Sequence, residues 1–523
     1  MVGHTADLIY MCVLFVMGRA LVLASWGFPG RWREVSYYGP EGLCRRRHEL
    51  KYEEGRVKVS KTTLAWVLDL LKGEGQSVDV VVFVPDTVGV WYREFKEVSS
   101  YGGLIETVRG RIGDFAGQHV GDVEVVVVPG TGRFKADGGF AYFEGFVENA
   151  FTAMLGVVYK RVASNDYDMV VADISHGVNY MPAFLRDVAW IAARYISAVG
   201  TKGGGKEVCL AVLNSDPVIE GAEGPVRINV VEYAKVRETP PSFVEWIAGE
   251  VEERLYVSSG VAPPEGVKEL DGAYRKVLTE ANLPVVANAL LYGAVLYLYS
   301  ISPSVREASE SAKELVDRSL LLLNNEVKFE RREANVYVER AYGLYPYHIY
   351  LAMAMDVLSA FLPQPPEQAG GVEEVSLAAL AEFPLREPAA TILSNEIDKV
   401  KTAVKCLVEH GAVSAGVYIP LSYVLRIVEK CCEYSEHEDK SCGKLRCSSE
   451  CLKLLGEPRP EECKDDVCNA DKRNFVAHAG LERNAVCLKV AQTQSGGVEI
   501  YVRYRKRCLD KIPSFLGRSA GRL

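Results

Sequence analysis

Residues 167–180 read Tyr167-Asp-Met-Val-Val-Ala-Asp-Ile-Ser-His-Gly-Val-Asn-Tyr180. The apolar run predicts a buried strand that ends at Asp173, and the residues from Asn179 onward predict a helix that reaches Tyr195. The polar and glycine residues between them therefore lie at the carboxyl end of a strand, which is the edge where open α/β sheets bind ligands. The turn also has a purely structural reading, in which Ser175 caps the helix and His176 is an ordinary turn residue.

The first part of the chain alternates short β-rich runs with helical stretches. This alternation predicts βαβ units, and the nearly continuous valine runs predict strands that are covered on both faces. The expected fold is therefore an α/β Rossmann-like, mostly parallel sheet. The predicted strands are 20–25, 78–84, 123–128, 168–173, 208–213 and 226–231, and the predicted helices are 62–71, 92–112, 140–162 and 180–198.

Loops with the composition of ligand-binding loops follow four of these strands. They are Trp26–Trp32, Pro85–Thr87, Pro129–Arg133 and Ser175–Gly177. Together they outline a pocket that suits a nucleotide-like ligand, although such glycine-rich segments are also good turns. No G-x-G-x-x-G follows the first strand and no G-x-x-x-x-G-K-[ST] occurs, so dinucleotide and P-loop chemistry are not predicted.

The character of the sequence changes at Glu238-Thr-Pro-Pro-Ser242. Residues 17–238 are expected to form one domain, and 239–523 an all-α helical domain with a cysteine-rich insertion at 431–468. The predicted helices are 243–257, 283–300, 304–323, 347–362, 389–409 and 414–432.

A candidate catalytic motif lies near the end of the helical domain, in Asp471-Lys-Arg-Asn-Phe-Val-Ala-His478. On a helix, Asn474 and His478 share a face, whereas Arg473 and His478 lie about 140° apart. An arginine directly after the Asp471 cap opposes the helix dipole, and such a local conflict often marks function. Without other evidence, a surface arginine and a structural histidine explain the pattern as well. Val486 and Leu488 are expected to complete the apolar side of this helix.

The amino-acid composition and the net charge limit the classes of function that the chain can have. A net charge of −9 argues against a basic coat for duplex DNA, and the runs Arg45–Arg47 and Arg503–Arg507 are more typical of solvated surface than of binding sites. The apolar start is divided by Arg19 and is too short to span a bilayer, so a cytoplasmic protein without a membrane segment is expected, with Met1 or Met17 as its first residue. Only six glutamines among many charged residues suggest a thermophilic source.

Seven of the 13 cysteines lie between Cys431 and Cys468. Their spacing lacks the paired C-x-x-C hooks of common zinc sites, and intracellular disulfides occur in hyperthermophiles. Disulfides are therefore preferred to zinc, with free buried thiols as the third reading, and no metal ligands are assigned.

The motifs Trp26–Tyr37, Ser60–Thr63 and Asp173–Pro182, followed by R-N-F-V-A-H at 473–478, closely resemble the CRISPR-associated ribonucleases of type III systems. Those proteins join a CARF ligand-sensing domain to a HEPN nuclease domain. The resemblance is specific at 173–182, where the family commonly has threonine in place of Ser175. The cysteine-rich segment departs from the family pattern.

The resemblance implies a cyclic-oligoadenylate-activated, metal-independent endoribonuclease of antiviral defence that cleaves single-stranded RNA and needs no cofactor. It implies catalytic roles for Arg473, Asn474 and His478, a homodimer or higher homo-oligomer, and cyclic tetra-adenylate as activator in preference to hexa-adenylate. The alternative is a non-catalytic CARF sensor or regulator, and a further possibility is cleavage of its own cyclic ligand. The implied ligand-binding residues are Trp26, Gly27, Ser60, Thr62, Gly130, Thr131, Ser175, His176, Gly177 and Asn179.

Overall fold

The fold is described from a computed structural model. The described residues are 18–44, 50–52, 57–136, 138–200, 205–218, 224–362, 374–409, 411, 413, 415–431, 463–493 and 497–517. The chain divides into two compact units. The first comprises Met1–Ile196, Glu207–Val236 and Leu323–Gly343, and the second comprises Ser197–Lys206, Arg237–Leu322 and Leu344–Leu523.

The first unit is built on an eight-stranded sheet in the order β3-β2-β10-β9-β8-β1-β4-β5. Its strands are β1 (Arg19–Ser25), β2 (Val35–Tyr38), β3 (Lys58–Ser60), β4 (Ser77–Pro85), β5 (Glu124–Val128), β8 (Met169–Asp173), β9 (Val208–Ser215) and β10 (Val226–Val236). Its helices are α1 (Thr63–Gly73), α2 (Tyr101–His119), α3 (Glu148–Ser164) and α4 (Met181–Val199). Short 3-10 helices span Pro29–Arg31, Asp86–Trp91 and Arg93–Lys96.

The predicted parallel core of this sheet is confirmed. The five strands β5, β4, β1, β8 and β9 are parallel, and β10 is antiparallel to β9. Strand β1 lies between β4 and β8 because the chain first winds outward through β4 and β5 and then returns to the opposite side through β8 and β9. The carboxyl ends of β1 and β8 therefore form the topological switch point, where doubly wound sheets bind ligands.

A smaller four-stranded sheet completes the first unit, in the order β12-β13-β7-β6. Its strands are β6 (Gly132–Ala136), β7 (Gly139–Glu144), β12 (Lys328–Arg332) and β13 (Asn335–Glu339). Strands β12 and β13 come from beyond residue 238, so the first unit is not the single span 17–238 that the sequence predicts. Residues 140–144, predicted as the start of a helix, lie in β7, and α3 begins only at Glu148.

The predicted helical second half is confirmed in its main elements. The helices are α5 (Pro240–Glu250), α6 (Glu265–Ala281), α7 (Leu283–Leu291), α8 (Val295–Asn325), α9 (Tyr347–Phe361), α10 (Leu377–Ala381), α11 (Ala389–Glu409), α12 (Leu421–Cys431), α13 (Lys472–Ala477), α14 (Lys506–Leu509) and α15 (Ile512–Leu516). Among the described residues, no helix combines the length and the apolar character needed to cross a membrane.

The second half also contains strands that were not predicted from the sequence, and the strands at 256–258 and 418–420 overlap the predicted helices 243–257 and 414–432. They are β11 (Tyr256–Ser258), β14 (Tyr342–Leu344), β15 (Val375–Ser376), β16 (Tyr418–Pro420), β17 (Val486–Gln492) and β18 (Val498–Tyr504). Strands β15, β18, β17 and β16 form an antiparallel sheet in that order. Val486 and Leu488 lie on β17, so they do not extend the apolar side of the motif helix. The structure places them in a strand because β18 supplies a complete ladder of partners.

Candidate functional site

The loops that follow β1 and β8 meet at the switch point of the first unit. The Gly27 N–H donates to the His176 carbonyl at 2.9 Å. A Cβ atom on Gly27 would lie 2.7 Å from Cγ1 of Val178, so glycine allows the two loops to approach this closely. Asn179 has φ of 54° and is exposed, and Gly177 packs against Ser25 and Pro182.

His176 is held at the first turn of α1. Its Nε2 accepts a hydrogen bond from the Thr63 N–H at 3.3 Å, and its ring packs on Trp32 with 4.3 Å between ring centroids. Burial lowers the pKa of His176, while nearby Asp173 acts in the opposite direction. A ring nitrogen that accepts a hydrogen bond is unprotonated, so His176 is neutral with its proton on Nδ1. The ring thereby satisfies one of the N–H groups that a helix start leaves without a partner.

Asp173 organises the same loop. Its Oδ2 accepts from the Thr63 hydroxyl at 2.6 Å, and its Oδ1 accepts from the Ser175 N–H at 3.1 Å. The Ser175 hydroxyl accepts in turn from the Ser215 N–H at 3.0 Å. A hydroxyl that accepts one bond can still donate its own proton, so Ser175 keeps a donor for a ligand.

Asp173 and Thr63 were not singled out from the sequence. The structure brings Thr63, rather than the neighbouring Thr62, to His176. The sequence contains a signal for each residue, because Asp173 ends the predicted strand and Thr63 belongs to the Ser60–Thr63 motif. Which residue at the start of α1 contacts His176 depends on the fold, so it could not be predicted from the sequence.

The other predicted ligand residues have structural partners of their own. The Thr62 hydroxyl caps α1 by accepting from the Leu64 N–H at 3.3 Å, and the Ser60 hydroxyl accepts from the Thr62 N–H at 3.2 Å. The Trp26 side chain is buried in the core, edge-on to Trp32. In this structure only the backbone of Trp26 lies at the strand end.

Gly130 and Thr131 follow β5 at the same edge of the sheet. The Gly130 N–H donates to Oδ1 of buried Asp86 at 2.8 Å. Thr131 is hydrogen-bonded to Tyr180, whose pKa is raised chiefly by burial. The carboxyl edge thus contains a set of glycines and hydroxyls that suits a phosphorylated ligand.

The motif helix α13 in the second unit is short because both ends are specified locally. The Asp471 side chain caps it by accepting from the Asn474 N–H at 3.1 Å, as the sequence predicts. After His478, Ala479 adopts a left-handed conformation with φ of 48°, and the Gly480 N–H returns to the Phe475 carbonyl at 2.9 Å. Tyr504 donates to the Gly480 carbonyl at 3.0 Å, which ties this end to β18.

His478 is the C-cap residue of α13, and its side chain contacts a buried carboxylate. Its Nδ1 lies 3.1 Å from Oε1 of Glu396, while 39% of the His478 side chain remains exposed. The same Glu396 oxygen accepts from Nζ of Lys399 at 2.7 Å. Glu396 lies on α11, far from the motif in sequence, and no local pattern singled it out. A histidine whose Nδ1 is held by a carboxylate presents Nε2 for proton transfer.

Arg473 and Asn474 lie on the first turn of α13 and are exposed. Within the described part of the chain, neither side chain forms a hydrogen bond or ion pair, so both are available to a substrate. The motif region therefore combines an oriented imidazole with an exposed guanidinium, which can transfer protons and bind phosphate oxygens. The described residues contain no cluster of three or more histidine, cysteine, aspartate or glutamate side chains that could hold a metal.

Disulfides fix the chain just before the motif. Cys463 is bonded to Cys487 on β17, and Cys468 is bonded to Cys508 on α14. The predicted preference for disulfides is thus confirmed for these two cysteines, while Cys432, Cys442, Cys447, Cys451 and the side chain of Cys431 lie outside the described residues. A third disulfide, Cys44–Cys209, lies in the first unit.

Two family models match the chain. The CARF domain model of CRISPR system endoribonuclease Csx1 matches residues 21–217, and the HEPN domain model of the same endoribonuclease matches residues 386–506. Together they cover more than half of the 523 residues. The first range contains the switch-point loops, and the second contains Glu396 and the motif at 473–478. No individually curated protein matches the sequence.

Proposed function

The chain belongs to the CRISPR-associated ribonucleases that join a CARF domain to a HEPN domain, and from this premise we propose that it is a metal-independent endoribonuclease activated by a cyclic oligoadenylate. Its substrate is single-stranded RNA. The observation that carries the nuclease part is the contact between Glu396 and His478, the C-cap of the short helix that carries the exposed Arg473.

The proposed reaction uses the 2′-hydroxyl of RNA as the nucleophile. His478 accepts the 2′-hydroxyl proton at Nε2, and the 2′-oxygen attacks the adjacent phosphorus. Arg473 stabilises the charged phosphorane, because its planar guanidinium matches two phosphate oxygens. The 5′-oxygen of the next nucleotide leaves and takes up a proton, which yields a 2′,3′-cyclic phosphate and a 5′-hydroxyl.

Glu396 orients this chemistry without touching the substrate. It accepts the Nδ1 proton of His478 and stabilises the imidazolium that forms when Nε2 is protonated. Asn474, on the same turn as Arg473, binds the substrate. The family pairs two HEPN domains, so we propose that a homodimer combines Arg473 and His478 from both subunits.

The proposed activator is cyclic tetra-adenylate, in preference to hexa-adenylate, bound at the carboxyl edge of the first unit. The neutral His176 and the Ser175 hydroxyl support this assignment, since each keeps a donor that can bind a phosphate, and the Gly130–Thr131 loop lies at the same edge of the sheet. Two CARF domains enclose one ring in this proposal.

The same geometry argues against cleavage of the ligand by His176. Its Nε2 already accepts from Thr63, and the two oxygens of Asp173 accept from Thr63 and Ser175. A general base needs a free lone pair within reach of its proton. We therefore expect His176 to position the ligand, and cyclic tetra-adenylate to be recovered intact after RNA cleavage.

End-group analysis tests the nuclease proposal. Wild-type protein in EDTA, with cyclic tetra-adenylate, should cleave a labelled RNA to fragments with 2′,3′-cyclic phosphate, and a substrate with 2′-deoxy sugars should resist. His478→Ala should lose about 10² to 10⁴ in rate, since it removes the proton-transfer group. Fragments with 3′-hydroxyl ends, or full activity of His478→Ala, would place the chemistry elsewhere.

A further inference from the structure

The smaller sheet of the first unit has an aromatic face. Ala141 and Phe143 of β7 and Val336 and Val338 of β13 are buried on one side. The alternate residues Phe140, Tyr142 and Tyr337 therefore project from the other side, and Phe140 is 40% exposed. Charged side chains are the usual occupants of a solvated sheet face, so three rings on this side need an explanation.

The rings and the neighbouring arginines form one continuous stack. The Tyr142 and Tyr337 rings are paired across the strands, with centroids 4.9 Å apart and planes within 4°. The Arg133 guanidinium lies 4.6 Å from the Phe140 ring centroid and 4.9 Å from that of Tyr142. At the other end, Arg332 lies 5.1 Å from the Tyr337 ring centroid.

The arginines at the two ends of the stack differ in whether a carboxylate neutralises them. Arg332 is bound by both carboxylate oxygens of Glu330, at 2.8 and 2.7 Å. Arg133 is exposed and has no ion pair with another described residue, and Lys135 lies two residues along the same outer side of β6. Phe140, Arg133 and Lys135 thus form a patch that is both aromatic and cationic.

We propose that this patch binds single-stranded RNA as a second contact for the substrate, separate from the nuclease motif. Bases stack on Phe140 and on the Arg133 guanidinium, and Arg133 and Lys135 pair with phosphates. Aromatic rings beside free cations match the two components of single strands, the π-faces of bases and the charged backbone. The inference rests on the proposed function for its substrate class.

A protein occupant fits the patch less well. The cores of protein interfaces are depleted in charged residues, whereas every ring here borders an arginine. Two copies of the patch docked on each other would also face Arg133 and Lys135 toward like charges. RNA neutralises these cations.

Binding can be measured without cleavage in the full chain carrying His478→Ala. The probe is a fluorescein-labelled 15-nucleotide polyuridine, followed by anisotropy at several salt concentrations. Phe140→Leu and Arg133→Lys keep bulk and charge respectively but remove the planar surfaces. We expect the pair of substitutions to raise the dissociation constant about tenfold or more, because both remove planar surfaces on which bases stack. Arg109→Lys, on the exposed face of α2, is the matched control and should bind like the parent.

A second measurement is independent of variant folding. Photocrosslinking of 4-thiouridine RNA to the His478→Ala protein, followed by mass spectrometry, should place crosslinks at Phe140 or Tyr142. An unchanged dissociation constant in the double variant, or crosslinks confined to other segments, would overturn the proposal. The proposal would also be overturned if the double variant lost its dimer in sedimentation analysis but kept its RNA affinity, because the patch would then bind a second copy of the chain. RNA binding that persists in a protein without ligand-activated cleavage would instead contradict the proposed function and leave the patch standing.

Discussion

At the scale of single residues, the Glu396 carboxylate fixes the orientation of the His478 ring by its contact with Nδ1. Glu396→Gln keeps the shape of the side chain and removes its charge. We predict that kcat for RNA cleavage falls roughly 10- to 10³-fold while KM changes little, because imidazolium stabilisation is needed only as the proton moves. Asp398→Asn, an exposed neighbour on α11, should leave both constants unchanged. Equal kinetics for Glu396→Gln and wild type would assign the contact to stability alone.

A second residue-scale prediction concerns pH and buried His348. Burial lowers the pKa of His348 to about 3, although the Tyr345 backbone opposes this shift. The unfolded chain takes up a proton at this histidine below about pH 6.5, whereas the folded chain does not until about pH 3. The contribution of His348 to stability is therefore complete above pH 6.5 and is lost at about 1.4 kcal/mol per pH unit as pH falls.

His348→Gln removes this titration and can still bond to Ser319, which lies 2.7 Å from the His348 Nε2. Melting temperatures from pH 7 to pH 4 should fall less steeply for His348→Gln than for wild type. Parallel curves would show that the folded protein binds the proton as readily as the unfolded chain.

At the scale of elements, the Asp86–Arg340 pair joins the residue that follows the hairpin of β12 and β13 to the 3-10 helix that follows β4. Arg340 donates to Asp86 Oδ2 at 2.5 Å with both side chains almost fully buried, and Asp86 Oδ1 accepts from Gly130. Arg340→Met should destabilise the first unit by about 3–5 kcal/mol, because it leaves a buried carboxylate without its cation. Thermal melting measures the effect, and adding Asp86→Asn should recover part of it. Additive losses in that double variant would argue against direct coupling.

The disulfides before the motif give another element-scale prediction. Cys463–Cys487 and Cys468–Cys508 join residues 24 and 40 apart, and closing such loops stabilises a fold by roughly 2–4 kcal/mol each. Cys508→Ser should lower the melting temperature under non-reducing conditions, and reductant, which opens every disulfide, should lower the wild-type value at least as far. Intact mass after thiol labelling checks the bonds directly. Complete labelling of the unreduced protein would contradict them, and destabilisation by a chelator alone would favour zinc.

Elements that depend on residues close together in the sequence could be predicted, whereas elements that depend on residues far apart in the sequence could not. The core strands β1, β4, β5 and β8 were predictable because their continuous apolar runs are a local signal, and α13 began at its predicted Asp471 cap. The smaller sheet was not predictable, because β7 pairs with β13 across nearly 200 residues and its outer positions hold aromatic residues instead of polar ones. Glu396 could not be predicted for the same reason, because it lies far from His478 in sequence and contacts it only in the folded chain.

At the scale of the whole molecule, a chain with a CARF and a HEPN domain is expected to couple ligand binding in one unit to RNA cleavage in the other. In our proposal, the ligand binds at the polar loops of the switch point, and cleavage takes place at His478, which Glu396 contacts. Ser175→Ala with His176→Ala should therefore raise the ligand concentration needed for activation about tenfold or more, while the nuclease residues stay intact.

We propose that ligand binding switches on metal-independent cleavage. It is tested most directly by the cleavage rate of a labelled single-stranded RNA in EDTA, measured with and without cyclic tetra-adenylate. Our account predicts little cleavage without the ligand, rapid cleavage with it, and none in His478→Ala under either condition. Cleavage that is equal with and without cyclic oligoadenylate, or that requires a metal, would contradict it.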